Sequence, residues 1–319
     1  MTILGAAGRP AWRVATVALR TALMMTVVVC VVFLLAEWLP GDAASGLVER
    51  GASPAAVATV RRQLGLDRPT GERLVERLKG LASGDLGQTA RGRPVSEVVA
   101  QPLQRTFVLA GCALALVVFI GVPLGAGMAW RAGHAADRLF GAASIALLSL
   151  PEFVVLILLA LVLTSWLGWV PSVVIADAAG RIAASMFVLP VLALALPVTA
   201  WTTRLVRGAV ADAMVLPHIQ AAVLDGLPSG RILLRHALPP ALPAIAASLA
   251  ASCASLLGGS VIVEAAVNYP GIGSVLTQGI AARDVALVSS TVVVISGIAA
   301  VAFAAADLVR ALRPQAMAR

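Results

Sequence analysis

The sequence predicts an all-α integral membrane protein with six transmembrane helices, and three observations carry that expectation. The residues AVILMFWYC make up 60% of the chain and charged residues 13%, with a mean hydropathy of +0.94, far from the roughly half-apolar make-up of soluble domains. The apolar residues gather into six windows, 22–38, 106–130, 139–166, 184–203, 240–263 and 285–308. Each approaches or exceeds the ~20 helical residues that cross a hydrocarbon core. Arginine, finally, is concentrated on alternate connections, as membrane orientation demands.

Taken in order, the first span follows Arg9, Arg13 and Arg20, which places the N-terminus in the cytoplasm. Its apolar run is longer than the core of a secretory signal peptide and has no clean small-x-small site after it, so it is expected to stay attached. The three valines before Cys30 make a poor lipoprotein signal. The segment 39–105 also carries many arginines, but loops longer than ~60 residues cross the membrane largely regardless of charge. It is expected outside. Within it Val57, Val60 and Leu64, then Leu74, Leu78 and Leu81, recur at helical spacing. Two short amphipathic helices lying on the membrane domain are expected there.

The second span holds Gly121 and Gly125 beside Pro123, followed by Gly127; the Gly-x-x-x-Gly spacing serves close helix approach, as ordinary packing or as a dimer face. Arg131 and Arg138 mark a cytoplasmic connection. The third span carries Glu152 next to Pro151. An ionised carboxylate there costs about 2.5–3.5 kcal/mol on insertion scales, and two readings stay open: a residue of the translocation pathway, or a carboxylate paired in the bundle or near an interface. Only Arg181 lies between spans three and four, and only Arg283 between five and six. The segment 204–239 brings Arg204, Arg207, Arg231 and Arg235, and Arg310, Arg313 and Arg319 follow the last span. Both termini therefore read as cytoplasmic. Glu264 and Asp307 fall near span ends, where packing or interfacial roles are expected. The chain as a whole reads as one membrane domain, 1–319, without an ATPase domain of ordinary size.

Other functional classes find little support. A net charge of +8 and a pI near 11.0 are compatible with nucleic acid, but the basic residues are scattered beside apolar runs, so no nucleic-acid partner is expected. Cys30, Cys112 and Cys253 sit inside apolar runs at no metal or redox spacing, and His134, His218 and His236 are dispersed. No metal site or resident cofactor follows. No phosphate-cradling Gly-x-x-x-x-Gly-Lys loop is present, since the sole lysine, Lys79, precedes Gly80. A membrane enzyme would need a nucleophile elbow or a carboxylate pair, and an ion-coupled transporter paired broken helices with several buried acids.

The connection 204–239 is long for a compact membrane domain and has its own helical pattern. Ala221 and Ala222 offer a low surface on which another protein can seat, and Gly226 suits a left-handed helix end. Pro228 and Ser229 suit the start of a second helix, and Pro239-Pro240 its end. Gln220-Ala221-Ala222, three residues, Gly226, nine residues, then His236-Ala237-Leu238-Pro239 resembles the cytoplasmic signature of permease subunits of ATP-binding cassette importers, which is Glu-Ala-Ala, Gly and Ile-x-Leu-Pro in that register. The resemblance implies a type I importer permease fold in the bacterial plasma membrane. It also makes Gln220, Ala221, Ala222, Asp225, Gly226, Leu238 and Pro239 the residues that couple to an ATPase.

Further residues are similar to the first permease of the dipeptide, oligopeptide and nickel branch. They are Pro40-Gly41-Asp42, Gln63 to Asp67 with Pro69, Gly84-Asp85-Leu86-Gly87 before Pro94-Val95, and Arg105-Thr106. Pro151 with Phe153, Leu167-Gly168-Trp169 with Pro171, Leu189-Pro190 through Pro197, the pair Arg204 and Arg207, Glu264, Tyr269-Pro270-Gly271-Ile272-Gly273, Ala282-Arg283-Asp284 and Asp307 continue the match. Gln220 in place of glutamate, Asp225 where the branch has lysine, and Arg313-Pro314-Gln315 in the tail depart from the pattern. The resemblance implies a peptide importer that performs no chemistry in this chain. ATP and magnesium would be held by one fused or two separate ATPase subunits, alongside a second homologous permease and an extracytoplasmic substrate-binding protein. A nickel, metal-chelate or opine cargo is the alternative within the branch, and an ion-coupled secondary transporter the alternative outside it.

Overall fold

A computed structural model describes residues 8–38, 44, 54–63, 65–177 and 181–312, without the side chains at several helix ends, 306–312 among them. Pro40-Gly41-Asp42, Leu64, the side chains of Val57, Val60 and Asp307, and the tail from Arg313 lie outside the described residues. Among those described the chain is helical, with one isolated bridge between Gln88 and Pro94. The helices are α1 (Gly8–Trp38), α2 (Pro54–Gln63), α3 (Thr70–Ala82), α4 (Val95–Leu116), α5 (Val122–Trp130), α6 (Ala135–Leu148), α7 (Glu152–Ala160) and α8 (Ala184–Met214). They continue with α9 (Pro217–Leu224), α10 (Ser229–Arg231), α11 (Leu238–Val267), α12 (Ile272–Ala281) and α13 (Val285–Leu312).

Among the described residues five stretches are long and apolar enough to cross a membrane: Ala18–Leu35, Val95–Trp130, Ala184–Met214, Ser229–Val267 and Val285–Ala305. Ala135–Leu148 and Glu152–Trp166 qualify together as a sixth, bent by 104° at the break before Glu152. The break has a local cause. Pro151 supplies no amide hydrogen and lies extended, with φ −60° and ψ 146°, so α6 cannot run on into α7.

Among the described residues three turns are in the wider π register: Val117–Gly121, Leu161–Trp166 and Ile232–Ala237. The first leads into Pro123 and the last into Pro239-Pro240, where the missing amides deny the usual partner to the carbonyls four residues back. This changes one expectation. Pro239-Pro240 does not end a helix; it stands in the first turn of α11, directly after the π turn, and the chain stays helical across Ser229–Val267.

The chain divides into two compact units, one made of 1–106 with 270–300, the other of 107–269 with 301–319. In the first, Val95, Val99, Ile272, Val275 and Leu287 form the core, joined by Leu86, Val294 and Ile295. Helix α3 has no fully buried residue and is held to this unit by two arginines. Arg73 stands over the Phe33 ring of α1 at 5.7 Å. Arg77 Nε donates to Ser289 Oγ at 3.1 Å, Nη1 to Leu86 O at 3.0 Å, and Nη2 to Ala286 O at 3.0 Å and to Ser290 Oγ. Burial pushes this guanidinium below its ordinary pKa, and Asp85 and Asp284 oppose the shift.

Motifs far apart in sequence meet in this unit. Asp85 Oδ1 accepts from Gly87 N at 2.7 Å, holding a turn whose glycine has φ +72°. Its φ is what requires glycine, and a Cβ there, 2.7 Å from Arg77 Nη1, would also push the guanidinium aside. Asp284 caps α13 through Leu287 N at 3.0 Å and also accepts from Ala90 N at 2.6 Å. Thr106 Oγ1 accepts from Ile272 N at 2.8 Å.

The second unit is built on α8 and α11. Leu189, Leu194, Val198, Leu256, Val263 and Tyr269 belong to one buried cluster, and Val206, Val210, Ile219, Ile232 and Ile245 to another. Helix α5 packs on α8 through Gly125, where a Cβ would come within 2.9 Å of Val206 Cβ. The Gly-x-x-x-Gly spacing thus serves packing within the chain, since Gly121 faces Thr199 of the same helix.

Candidate functional site

The expected coupling residues collect around α9. Leu216 is extended and Pro217 opens the helix, a position where its missing amide is harmless. Ile219 and Ala222 are buried among Val206, Val210 and Ala213 of α8 and Ile232 and Ala237 of the π turn. Gln220, Ala221, Val223, Leu224 and Asp225 are exposed. Of the alanine pair, then, only Ala221 presents an open surface; Ala222, 6% exposed, seats the helix on its own chain. The spacing explains this, because positions 219 and 222 share a helix face that 221 does not.

The turn after α9 has the expected form. Gly226 takes φ +72°, Gly226 N donates to Val223 O at 3.1 Å and Leu227 N to Ala222 O at 3.2 Å. These are the two bonds of a Schellman end. Nothing lies within 4 Å of where a Cβ on Gly226 would be, so the requirement for glycine here is one of backbone conformation alone. Leu238 packs against the same cluster that buries Ile219 and Ala222, and Pro239 follows in the first turn of α11. The two halves of the signature therefore border one small core.

Sequence reasoning missed the most exposed large apolar side chain of this region. Leu224 is 88% exposed at the tip of α9, with Val223 at 46% and Val215 at 66%. An apolar run Val223-Leu224 before a glycine is legible in the sequence, but which way it faces is not. Sequence reasoning also missed the ion pair behind α9. Arg207 Nε and Nη2 meet Asp137 Oδ1 and Oδ2 at 2.6 and 2.7 Å, while Gly133 N donates to Asp137 Oδ2 at 3.0 Å. A two-pronged pair of this kind fixes orientation as well as distance, and it ties the start of α6 to the α8 turn that leads to α9.

Glu152 is placed apart from this region, at the first turn of α7 and half-buried. Its carboxylate rests against Gly259 of α11, where a Cβ would lie 2.7 Å from its Cδ. Glu264 is fully buried in the last turn of α11, and its carbonyl accepts from Tyr269 N at 2.8 Å. No group of three or more His, Cys, Asp or Glu able to hold a metal ion occurs among the described residues.

Comparison with known proteins places these features. The family described as "Binding-protein-dependent transport system inner membrane component" matches residues 121–318, which include α9, its glycine turn and Glu152. A glutathione transport system permease protein of Pectobacterium atrosepticum is 31% identical over 85% of this chain and 87% of its own length. A Brucella abortus protein named as a peptide transport system permease is 34% identical over 84% of this chain and 86% of its own. A Sinorhizobium fredii protein named as a peptide ABC transporter permease is 29% identical over 87% and 90%. The helical fold and the extent of these matches agree: this chain belongs to the binding-protein-dependent transport system inner membrane components, as a multi-pass permease subunit of the bacterial inner membrane.

Proposed function

We propose that this chain is one of two permeases in an ATP-driven peptide importer, and that α9 with its Gly226 turn is the part that seats in a partner ATPase. The observation that carries the reading is the exposed apolar tip of α9, with Leu224 88% exposed, on a short helix outside the candidate membrane spans. An apolar side chain in that position gains from a protein groove, with about 1.5–3 kcal/mol available for a fully buried leucine. Ile219 and Ala222 hold the helix from behind, and the Arg207–Asp137 pair braces its entry. Gln220, Ala221, Asp225, Leu238 and Pro239 complete the coupling segment.

In this reading the segment 204–239 and both termini face the cytoplasm, and 39–105 faces outward, in agreement with the arginine distribution. The whole chain acts as a single permease domain. ATP and magnesium are bound and hydrolysed by one fused or two separate ATPase subunits, and an external binding protein delivers the cargo. Peptide cargo follows the names of the relatives, a glutathione system and peptide systems. Glu152 belongs to the pathway.

The test is purification through a tag on this chain. An ATPase subunit, a second permease and, when cross-linked, a binding protein should accompany the wild type. Leu224→Glu should reach the membrane normally and lose the ATPase. Retention of the ATPase by that variant at wild-type yield would remove α9 as the docking element.

A further inference from the structure

We propose that Glu152 receives the protonated amine of the cargo as it passes through the membrane, and that Gly259 is glycine to leave room for that carboxylate. The inference rests on the peptide-importer reading above and deepens it, because every peptide with a free N-terminus carries an ammonium group below the α-amino pKa of about 7.7–8.0.

Three features of the structure point the same way. Glu152 lies on the inward face of α7, in helical register with Val155 and Leu156, which are 3% and 5% exposed, while Phe153 and Ile157 on the other face are 49% and 60% exposed. The carboxylate is thus turned toward α8 and α11, the elements packed on α7, and away from lipid. The charged or titratable groups of those two helices are Arg204, Arg207, Asp212, Cys253 and Glu264. Arg207 is committed to Asp137, and among the described residues none of the five makes an ion pair or hydrogen bond to Glu152. A half-buried carboxylate in a membrane span without a cationic partner is expensive, and such residues mark pathways for cations and protons.

The second feature is the seat. With alanine at 259, the added carbon would lie 2.7 Å from Glu152 Cδ, so the carboxylate would have to swing out of its present seat. Glycine at 259 leaves an open backbone surface under the carboxylate and brings no hydrogen-bond donor of its own side chain to occupy it. The third is the bend. Glu152 stands at the break where α6 and α7 meet at 104°, in the first turn of α7. Interrupted membrane helices commonly carry the substrate contacts of transporters, because their ends bring polar groups to membrane depth. Here the end brings an anion, which selects a cation.

The experiment uses the whole transporter, purified through this chain, in proteoliposomes with its binding protein and ATP. Uptake of labelled alanine peptides of two to five residues is compared between wild type, Glu152→Gln and Glu152→Asp at about pH 6.5 and about pH 9.5, either side of the α-amino pKa. Delivery by the binding protein and the ATPase is common to all three, so it cancels in the ratios. Loss of a charge-assisted contact should lower uptake by Glu152→Gln about tenfold at the lower pH, and Glu152→Asp should recover a large part of it. At the higher pH the amine is neutral, and the ratio of wild type to Glu152→Gln should fall below about two.

A ratio that is the same at both pH values would show a structural carboxylate and overturn the proposal, as would wild-type uptake by Glu152→Gln. If wild type moves none of these peptides but does take up a nickel chelate, the peptide reading fails and takes this inference with it. That outcome is distinct from the first two, in which peptide transport by wild type is intact.

Discussion

Replacing Gly226 separates backbone conformation from side-chain contact, because the structure leaves the space around it empty. The residue has φ +72°, and no atom lies within 4 Å of an added Cβ, so the β-carbon of any substituent meets no clash. What remains is the cost of the left-handed conformation, about 1 kcal/mol for alanine and about 2 for a β-branched residue, with asparagine close to glycine. An uncommitted α9 can relax that strain by unwinding its end, giving up the bonds from Gly226 N to Val223 O and Leu227 N to Ala222 O. Docking requires the turn to re-form, so the strain returns as lost affinity for the ATPase. At about 1.4 kcal/mol per tenfold, this amounts to about fivefold for Gly226→Ala and about thirtyfold for Gly226→Val, with Gly226→Asn within about twofold. The assay is titration of the ATPase subunit onto nanodisc-held permease, with peptide-stimulated ATP hydrolysis as a second readout. Equal affinity for all four proteins would refute the reasoning. So would an asparagine variant as weak as the valine variant, since that would point to the side chain and not to φ.

Other outcomes follow from the packing. Arg77→Met removes four donated hydrogen bonds that join α3 to Leu86 and the start of α13, and should cost about 2–3 kcal/mol, read as a lower melting temperature and faster proteolysis between α3 and α4. Gly125→Val drives a branched side chain against Val206 Cβ, 2.9 Å from the first added carbon, and should destabilise the protein by about 1–3 kcal/mol in detergent melting, with Gly127→Val, which meets nothing within 4 Å, far milder. A cysteine at the exposed Ser83 should react with an impermeant reagent in intact cells while one at Ser229 stays protected, and the reverse pattern would invert the proposed topology.

The membrane helices were legible because hydropathy over some twenty residues sums many small transfer energies, and no single residue can reverse the total. The glycine turn was legible because a left-handed helix end has few chemical solutions. The burial of Ala222 is not legible for a simple reason: composition marks a small residue but does not say which helix face it is on, and that depends on where the hydrophobic anchor Ile219 points. Arg77 gave no signal, since an arginine in an amphipathic helix ordinarily reads as solvent-facing. Its partners Ala286, Ser289 and Ser290 lie 209, 212 and 213 residues away. The Glu152–Gly259 contact was hidden likewise, because a glycine in a small-residue-rich helix reads as general packing until the neighbouring helix is in place. In sequence the Pro239-Pro240 pair reads as a stop because proline usually ends a helix. The preceding π turn absorbs the missing amides and lets the helix continue.

The central claim, that this chain conducts peptide only as part of an ATP-driven assembly, is tested most directly by reconstitution. Proteoliposomes containing the two permeases and the ATPase, supplied with the binding protein outside and ATP and magnesium inside, should accumulate labelled alanine peptides against a gradient. Omitting ATP, or omitting this chain, should abolish accumulation, and the purified chain alone should hydrolyse no ATP. Accumulation driven by an ion gradient through this chain without ATPase subunits would contradict the account.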